Sequence, residues 1–236
     1  MCPRLLEIGP FTIYSYGLML AAGFIVASYL LSLELKRKKL DPNLAGTVTV
    51  VALISGVVGA KMLYLIEHWD HFVADPFGMA FSPGGLTFYG GFLLATLVLY
   101  LYFRKRGLRF LLMADAVAPG LLLGYGVARL GCHFAGDGDY GFPTTLPWGT
   151  DYSGGTFPPS QAFRNVPGIA EQYPGGVVPE TVLCHPTPVY EFLLCAIMVG
   201  FMWKYRTRIR TEVKMFMLYL MLAGLERFSI EFLRLN

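Results

Sequence analysis

Six stretches of mostly apolar residues, at roughly 16–35, 45–66, 86–103, 114–133, 186–203 and 213–233, constrain this chain more than any other feature. A helix needs about 20 such residues to cross the hydrocarbon of a bilayer. Within that hydrocarbon no water can satisfy the backbone, so spans of this kind fold as helices that satisfy their own amides. Composition agrees: 55% of the residues are hydrophobic, 15% are charged, and the mean hydropathy is +0.52. A soluble domain of this length is not so apolar. The expectation is an all-α, polytopic integral membrane helical bundle of about six transmembrane helices, a single domain over 1–236 with one long loop at about 134–185.

The formal net charge of +3 raises the question of a nucleic-acid partner, and the placement of the basic residues answers it. Lys36, Arg37, Lys38 and Lys39 follow the first span. Arg104, Lys105, Arg106 and Arg109 follow the third, and Lys204, Arg206, Arg208, Arg210 and Lys214 follow the fifth. The positive-inside rule makes these three loops cytoplasmic and puts the N-terminus, 67–85, 134–185 and the C-terminus outside, with no nucleic acid implied. The opening MCPRLLEIGPF lacks the pattern of a cleavable signal peptide, so the first span is expected to stay. Cys2, Cys132, Cys184 and Cys195 form no CxxC pair and no zinc spacing. Cys132 and Cys184 would both lie near the outer face, where a disulfide is permitted, but the sequence does not pair them.

Two segments outside the spans call for function. The loop 134–185, with TLPWGTDYSGGTFPPSQAF at its centre, is too long for a plain connection, and its aromatics are of the kind that anchor and line sites at a membrane interface. The stretch SPGGLTFYGG at 82–91 carries the glycine pairs Gly84–Gly85 and Gly90–Gly91 around Thr87 and Tyr89. Such pairs let backbone bend or approach a ligand, and non-helical backbone near membrane depth needs protein or water around it. A cavity opening outward is expected there.

A charge within a span costs at least about 2.5–3.5 kcal/mol on insertion scales, so each is a functional candidate. Lys61 either serves a site or snorkels its ammonium to the interface. Arg129, in YGVARLGCHF, and Arg227, in LAGLERFSIEFLR, belong to no basic loop. Arg227, Glu231 and Arg234 are spaced four and three apart and so share a helix face, where Glu231 can simply neutralise an arginine. Two guanidiniums facing one cavity would instead hold an anion, and their planar forks suit phosphate oxygens. In a membrane that phosphate is a lipid headgroup. His133 is a base or a polar cap. His68 and His71 have no third ligand, and Asp137 and Asp139 lack the closing glutamate of a calcium loop, so no metal or cofactor is expected.

Taken together, PFTIYSYGLMLAAGF, GVVGAKMLYL, GGLTFYGG, DAVAPGLLLGYGVARLGCHFAGDGDYG, HPTPVYEFL and GLERFSIEFLR appear in the order found in the prolipoprotein diacylglyceryl transferases. The chain resembles that family almost end to end. The resemblance implies a bacterial inner-membrane enzyme with two substrates, phosphatidylglycerol and prolipoprotein signal peptides with a lipobox cysteine. Its reaction moves the diacylglyceryl group to the cysteine thiol as a thioether and releases glycerol phosphate.

By match to the family motifs, Arg129 and Arg227 are expected on the phosphate. Tyr16 and Gly141 fall on positions tied to activity, Glu191 lies in the HPTPVYEFL motif, and Glu231 supports the last one. Lys61 stands where the family usually has arginine, Tyr89 where many members have histidine, and Cys132 where asparagine is usual; the acidic residue that follows is matched to Asp137. Tyrosine is a poor base at neutral pH, so Tyr89 is expected to orient lipid or relay a proton, and Asp137 and His133 are further candidates for forming the thiolate. Members continue past the position of Asn236 into a seventh span. Two other readings stay open from the residues: a lipid-binding relative without catalysis, and a small-solute transporter, which would show symmetrical halves with broken helices.

Overall fold

The computed structural model describes residues 1–8, 11–82, 84–164, 166–209 and 211–234. Pro83 of the outer glycine stretch, Arg210 of the third basic loop and Asn236 lie outside these. The chain begins with a hairpin, β1 (Arg4–Ile8) paired antiparallel with β2 (Phe11–Tyr14). Six long helices follow: α1 (Ser15–Arg37), α2 (Leu44–Glu67), α5 (Phe88–Lys105), α6 (Phe110–Ala135), α8 (Thr187–Tyr205) and α9 (Lys214–Glu231). Short helices α3 (Trp69–Ala74) and α4 (Pro76–Phe81) join α2 to α5. The loop after α6 holds the pair β3 (Thr150–Asp151) and β4 (Leu183–Cys184) and one turn of helix, α7 (Pro159–Ala162).

The six long helices fall on the six apolar stretches, and α1, α2, α6 and α8 are long and apolar enough to cross a membrane. Large apolar side chains such as Ile25, Ile54, Ile197 and Met221 stand mostly exposed along these helices, the surface a lipid-facing bundle presents rather than a soluble one. The two small sheets are additions to the all-α expectation. All four cysteines are free thiols.

The chain forms two compact units, one of Met1–Leu30 with Val117–Asn236 and one of Leu31–Ala116. In the second, α2 and α5 approach through glycine. A Cβ on Gly59 would strike the carbonyl of Gly90 and one on Gly90 that of Gly59, while Gly91 lies on the carbonyl of Gly56. Small residues at such a crossing let backbones meet where no hydrophobic effect drives association. Helix α5 ends in a Schellman turn, with Leu108 N–H on Phe103 O at 2.9 Å, Gly107 N–H on Arg104 O at 3.2 Å and Gly107 at φ +67°.

In the first unit, Ala118 and Leu122 of α6 pack with Cys195, Val199 and Met202 of α8 and Met215 of α9. The loop 134–185 has a core of its own. Tyr140 and Tyr152 stack at 4.2 Å, and both are buried with Phe163, Val178 and Cys184. Three of the aromatics expected to serve as interface anchors are therefore structural: they close a small head over the end of α6, with Trp148 left exposed.

Candidate active site

The first unit gathers charge around the end of α6. Arg129 sits on the last two turns of that helix, three residues before Cys132 and six before its end at Ala135. Gly136 and Gly138, at φ +58° and +92°, then turn the chain back on itself, a conformation a Cβ would oppose. The turn presents Asp137 and Asp139. Helix α8 starts with Thr187 and Pro188, and proline suits a first helical turn. Thr187 donates to the carbonyl of Asp139 at 2.8 Å, and Glu191 lies one turn further along the same face.

The fourth member arrives from the end of the chain. Past α9, Gly141 pairs with Arg234 as an antiparallel bridge, and Phe142 N–H reaches Leu233 O at 3.3 Å. A Cβ on Gly141 would strike Leu233 O. The close approach at this glycine is to the protein's own backbone, and it seats Arg234.

These four side chains form a closed ring of alternating charge. Arg129 donates from Nε and Nη2 to Glu191, the second at 3.3 Å, and from Nη1 to Asp139. Arg234 donates from Nη2 to Asp139, and its Nη1 lies 3.8 Å from Glu191 Oε1. Tyr125 adds a bond to Glu191 Oε2 at 3.4 Å. The formal charge of the ring is zero, and its members are largely buried: side-chain exposure is 9% for Arg129, 11% for Arg234, 0% for Glu191 and 22% for Asp139. Buried arginine needs such partners, because the solvation lost is otherwise uncompensated. Nε of Arg234 is buried with no acceptor among the described residues.

Beside the ring, Cys132 Sγ accepts from Arg129 Nη1 at 3.4 Å, and Asp137 accepts from Asp139 N–H at 3.3 Å. Tyr16 packs its ring on Gly131. Burial would raise the carboxyl pKa of Asp139, but Arg129 and Arg234 outweigh it and hold the group below the ordinary carboxylate range. Asp137 is raised, by burial first, with a hydrogen bond from Cys132 opposing. Cys132, Asp137 and Asp139 bring one donor atom each within 4.8 Å of one another. A cation there would meet two guanidiniums, which speaks against a metal centre.

The remaining expected site residues of this unit take the following places. His133 Nδ1 bonds Tyr152 Oη at 2.9 Å, within the head. Arg227 pairs with Glu231 at 3.9 Å, with side chains 48% and 60% accessible, and also reaches Tyr125, the phenol that bonds Glu191 of the ring. The helix stops at Glu231, so Arg234 leaves their face and enters the buried ring. Glu191 is a counter-ion to arginine.

In the second unit, the Lys61 ammonium neither snorkels nor stays free. It donates to Ser82 O at 3.0 Å, Ser82 Oγ at 2.9 Å and Gly84 O at 2.8 Å. Tyr64, one turn on, packs under Gly85, which takes φ +71°. Glu67 accepts from Thr87 Oγ1 at 2.6 Å. One face of α2 thereby pins the glycine stretch. Gly90 and Gly91 serve the α2–α5 crossing, and Tyr89 is exposed on the first turn of α5. Sequence reasoning singled out neither Asp139 nor Arg234 for the site. The available signals were the second aspartate of GDGD and the arginine three residues past Glu231.

Comparison with known proteins bears on the family of the chain. A family model described as prolipoprotein diacylglyceryl transferase matches residues 3–236. The phosphatidylglycerol–prolipoprotein diacylglyceryl transferase of Clostridium tetani is 29% identical, over 99% of this chain and 86% of that protein. The enzymes of the same name from Leptospira interrogans and Bifidobacterium adolescentis are 31% and 32% identical, over 97% and 98% of this chain and 72% and 68% of theirs.

Proposed function

Because the chain belongs to the prolipoprotein diacylglyceryl transferase family, we infer that it transfers the diacylglyceryl group of phosphatidylglycerol to the lipobox cysteine of prolipoprotein signal peptides. A thioether forms and glycerol phosphate leaves. The observation that carries this reading to the residues is the buried ring of Arg129, Asp139, Arg234 and Glu191 at the end of an apolar helix. Two guanidiniums held a carboxylate's width apart match the oxygens of a phosphate. Phosphate gains charge as the carbon–oxygen bond breaks, and preformed donors in a site poor in water stabilise that charge.

The reading includes six spans, with α5 and α9 completing the set. It places the protein in a bacterial inner membrane with the N-terminus outside and the ring toward the outer face, under the head formed by 134–185. A transporter reading gains nothing, since the six long helices run unbroken among the described residues.

The test is mass spectrometry on purified protein, phosphatidylglycerol and a lipobox peptide, beside the same peptide with serine for cysteine. A diacylglyceryl mass on the cysteine peptide alone supports the transferase. Lipid binding by a folded sample without that product would favour a binding-only relative.

A further inference from the structure

Two carboxylates bridge the same two arginines, and they are not equivalent. Glu191 is carried by a helix, is fully buried, and takes hydrogen bonds from Arg129 and Tyr125. Asp139 is carried by a loop between Gly138, at φ +92°, and Tyr140, and its side chain keeps 22% of its exposure. Its main chain is nonetheless fixed, by Thr187 on its carbonyl and by Asp137 on its N–H. The carboxylate can therefore leave the arginines by rotating about its own side-chain bonds, with the loop unmoved. Its two oxygens, one on Arg129 Nη1 and one on Arg234 Nη2, make the bridge that two phosphate oxygens would make.

We propose that Asp139 is an exchangeable counter-ion, which holds the phosphate place between Arg129 and Arg234 in the empty enzyme and, once lipid phosphate displaces it, takes the proton from the attacking thiol. The proposal rests on the transferase reading above. The groups around Asp139 are Arg129, Arg234, Glu191, Cys132, Asp137 and Tyr16. Only the two arginines favour its charged form strongly. When phosphate claims them, the burial they now outweigh acts unopposed, and the released carboxylate becomes a stronger base. Binding of the lipid thus creates the base beside the substrate it activates.

The step balances. The lipobox thiol gives its proton to Asp139, and the thiolate sulfur forms a bond to the glycerol carbon of the diacylglyceryl group. That carbon's bond to the phosphate oxygen breaks, and its electron pair goes to the phosphate. Protonated Asp139 then returns its proton to the departing glycerol phosphate and goes back between the arginines, which expels the product.

The two roles predict opposite changes in one variant. In Asp139→Asn the amide neither neutralises the arginines nor accepts the proton. The turnover kcat should fall at least about 100-fold, while KM for phosphatidylglycerol in proteoliposomes is unchanged or lower and glycerol phosphate binds several-fold tighter. Asp139→Glu should recover part of kcat. A residue that merely holds Arg129 in place would raise KM and weaken glycerol phosphate binding, and that result overturns the proposal, as does full kcat in the Asn variant. Should the Asn variant not fold, Asp139→Ser carries the same readouts. Wild-type protein without product in this assay would count against the transferase reading itself, whereas the comparison of variants bears on Asp139 alone.

Discussion

Replacing Glu191 by Gln should cost far more stability than its single charge suggests. The substitution keeps the shape and the acceptor oxygen but turns a neutral ring into one with a net positive charge, in which two guanidiniums share Asp139 alone. Arg129 then loses its charge partner through Nε and Nη2, and Arg234 loses Glu191 at 3.8 Å. Side-chain exposures of 9% and 11% leave these arginines little water to turn to. Breaking a buried pair on one side costs about 3–5 kcal/mol, and the retained amide places Glu191→Gln near the lower end. At about 2–4 °C per kcal/mol for a chain of this size, the melting temperature in detergent should drop by roughly 6–12 °C. The exposed pair of Arg4 and Glu7 is the internal control, since Arg4→Gln should cost about 1 kcal/mol or less. Adding Arg234→Gln to Glu191→Gln restores neutrality, so the double variant should be more stable than the sum of the singles by about 1–3 kcal/mol. Equal losses for Glu191→Gln and Arg4→Gln, or strict additivity in the cycle, would refute the ring as the element that fastens α6, α8 and the C-terminal segment together.

Four further outcomes follow from the same geometry. Lys61→Met leaves the carbonyls of Ser82 and Gly84 without their ammonium donor, so it should cost about 0.5–1.5 kcal/mol and speed hydrogen exchange at residues 84–87. Gly90→Ala drives a Cβ into the carbonyl of Gly59 and should destabilise by about 1–3 kcal/mol, whereas Gly200→Ala, with open space around it, should be neutral or gain up to about 1 kcal/mol in thermal unfolding. Maleimide at pH 7.5 should label exposed Cys2 and spare Cys184, a buried thiol pushed up to about 12; an impermeant reagent that labels Cys2 in intact cells also places the N-terminus outside. Asp139 has a carboxyl pKa below its unfolded value, so its stabilisation is present above the ordinary carboxylate pKa and lost as pH falls through the folded one. The stability gap between wild type and Asp139→Asn should therefore shrink from about pH 5 to about pH 2, and a gap that widens in acid would contradict the pairing.

What the sequence made legible is what the solvent dictates. Lipid demands runs of about 20 apolar residues, and each run became a helix: 45–66 is seen as Leu44–Glu67 and 186–203 as Thr187–Tyr205. The hairpin Arg4–Tyr14 escaped because its strands are 5 and 4 residues long, too short for periodicity to separate them from loop. Charge partnership was legible only where helix geometry fixes it. The spacing of Arg227 and Glu231 announced a pair, and they do pair, but in the open. The pairs that matter join Arg129 to Glu191 across 62 positions and Arg234 to Asp139 across 95, and no local rule reaches that far. The aromatics of the long loop misled for a related reason, since a tyrosine that anchors in an interface and one that stacks in a core look alike until a partner such as Tyr152 is found for Tyr140.

On the proposed reading, the ring also resolves a conflict built into any site that must bind phosphate at a membrane. Bare guanidiniums strong enough to stabilise a departing phosphate would be costly to bury while the site is empty. Exposed guanidiniums would be affordable to fold and weak in use, because water screens them. Glu191 answers the first half of the conflict as a permanent partner. As the exchangeable counter-ion proposed above, Asp139 answers the second, since it compensates the arginines only until something better shaped arrives. Affinity for the lipid headgroup is then a difference between two anions on the same donors, modest by construction, and modest affinity lets glycerol phosphate leave. Gly141 belongs to the same logic. By admitting the backbone of Leu233 at contact distance, it lets the C-terminal segment deliver Arg234 to a site whose other members come from α6, α8 and the loop between them, so a side chain at 141 would disturb phosphate binding without touching phosphate.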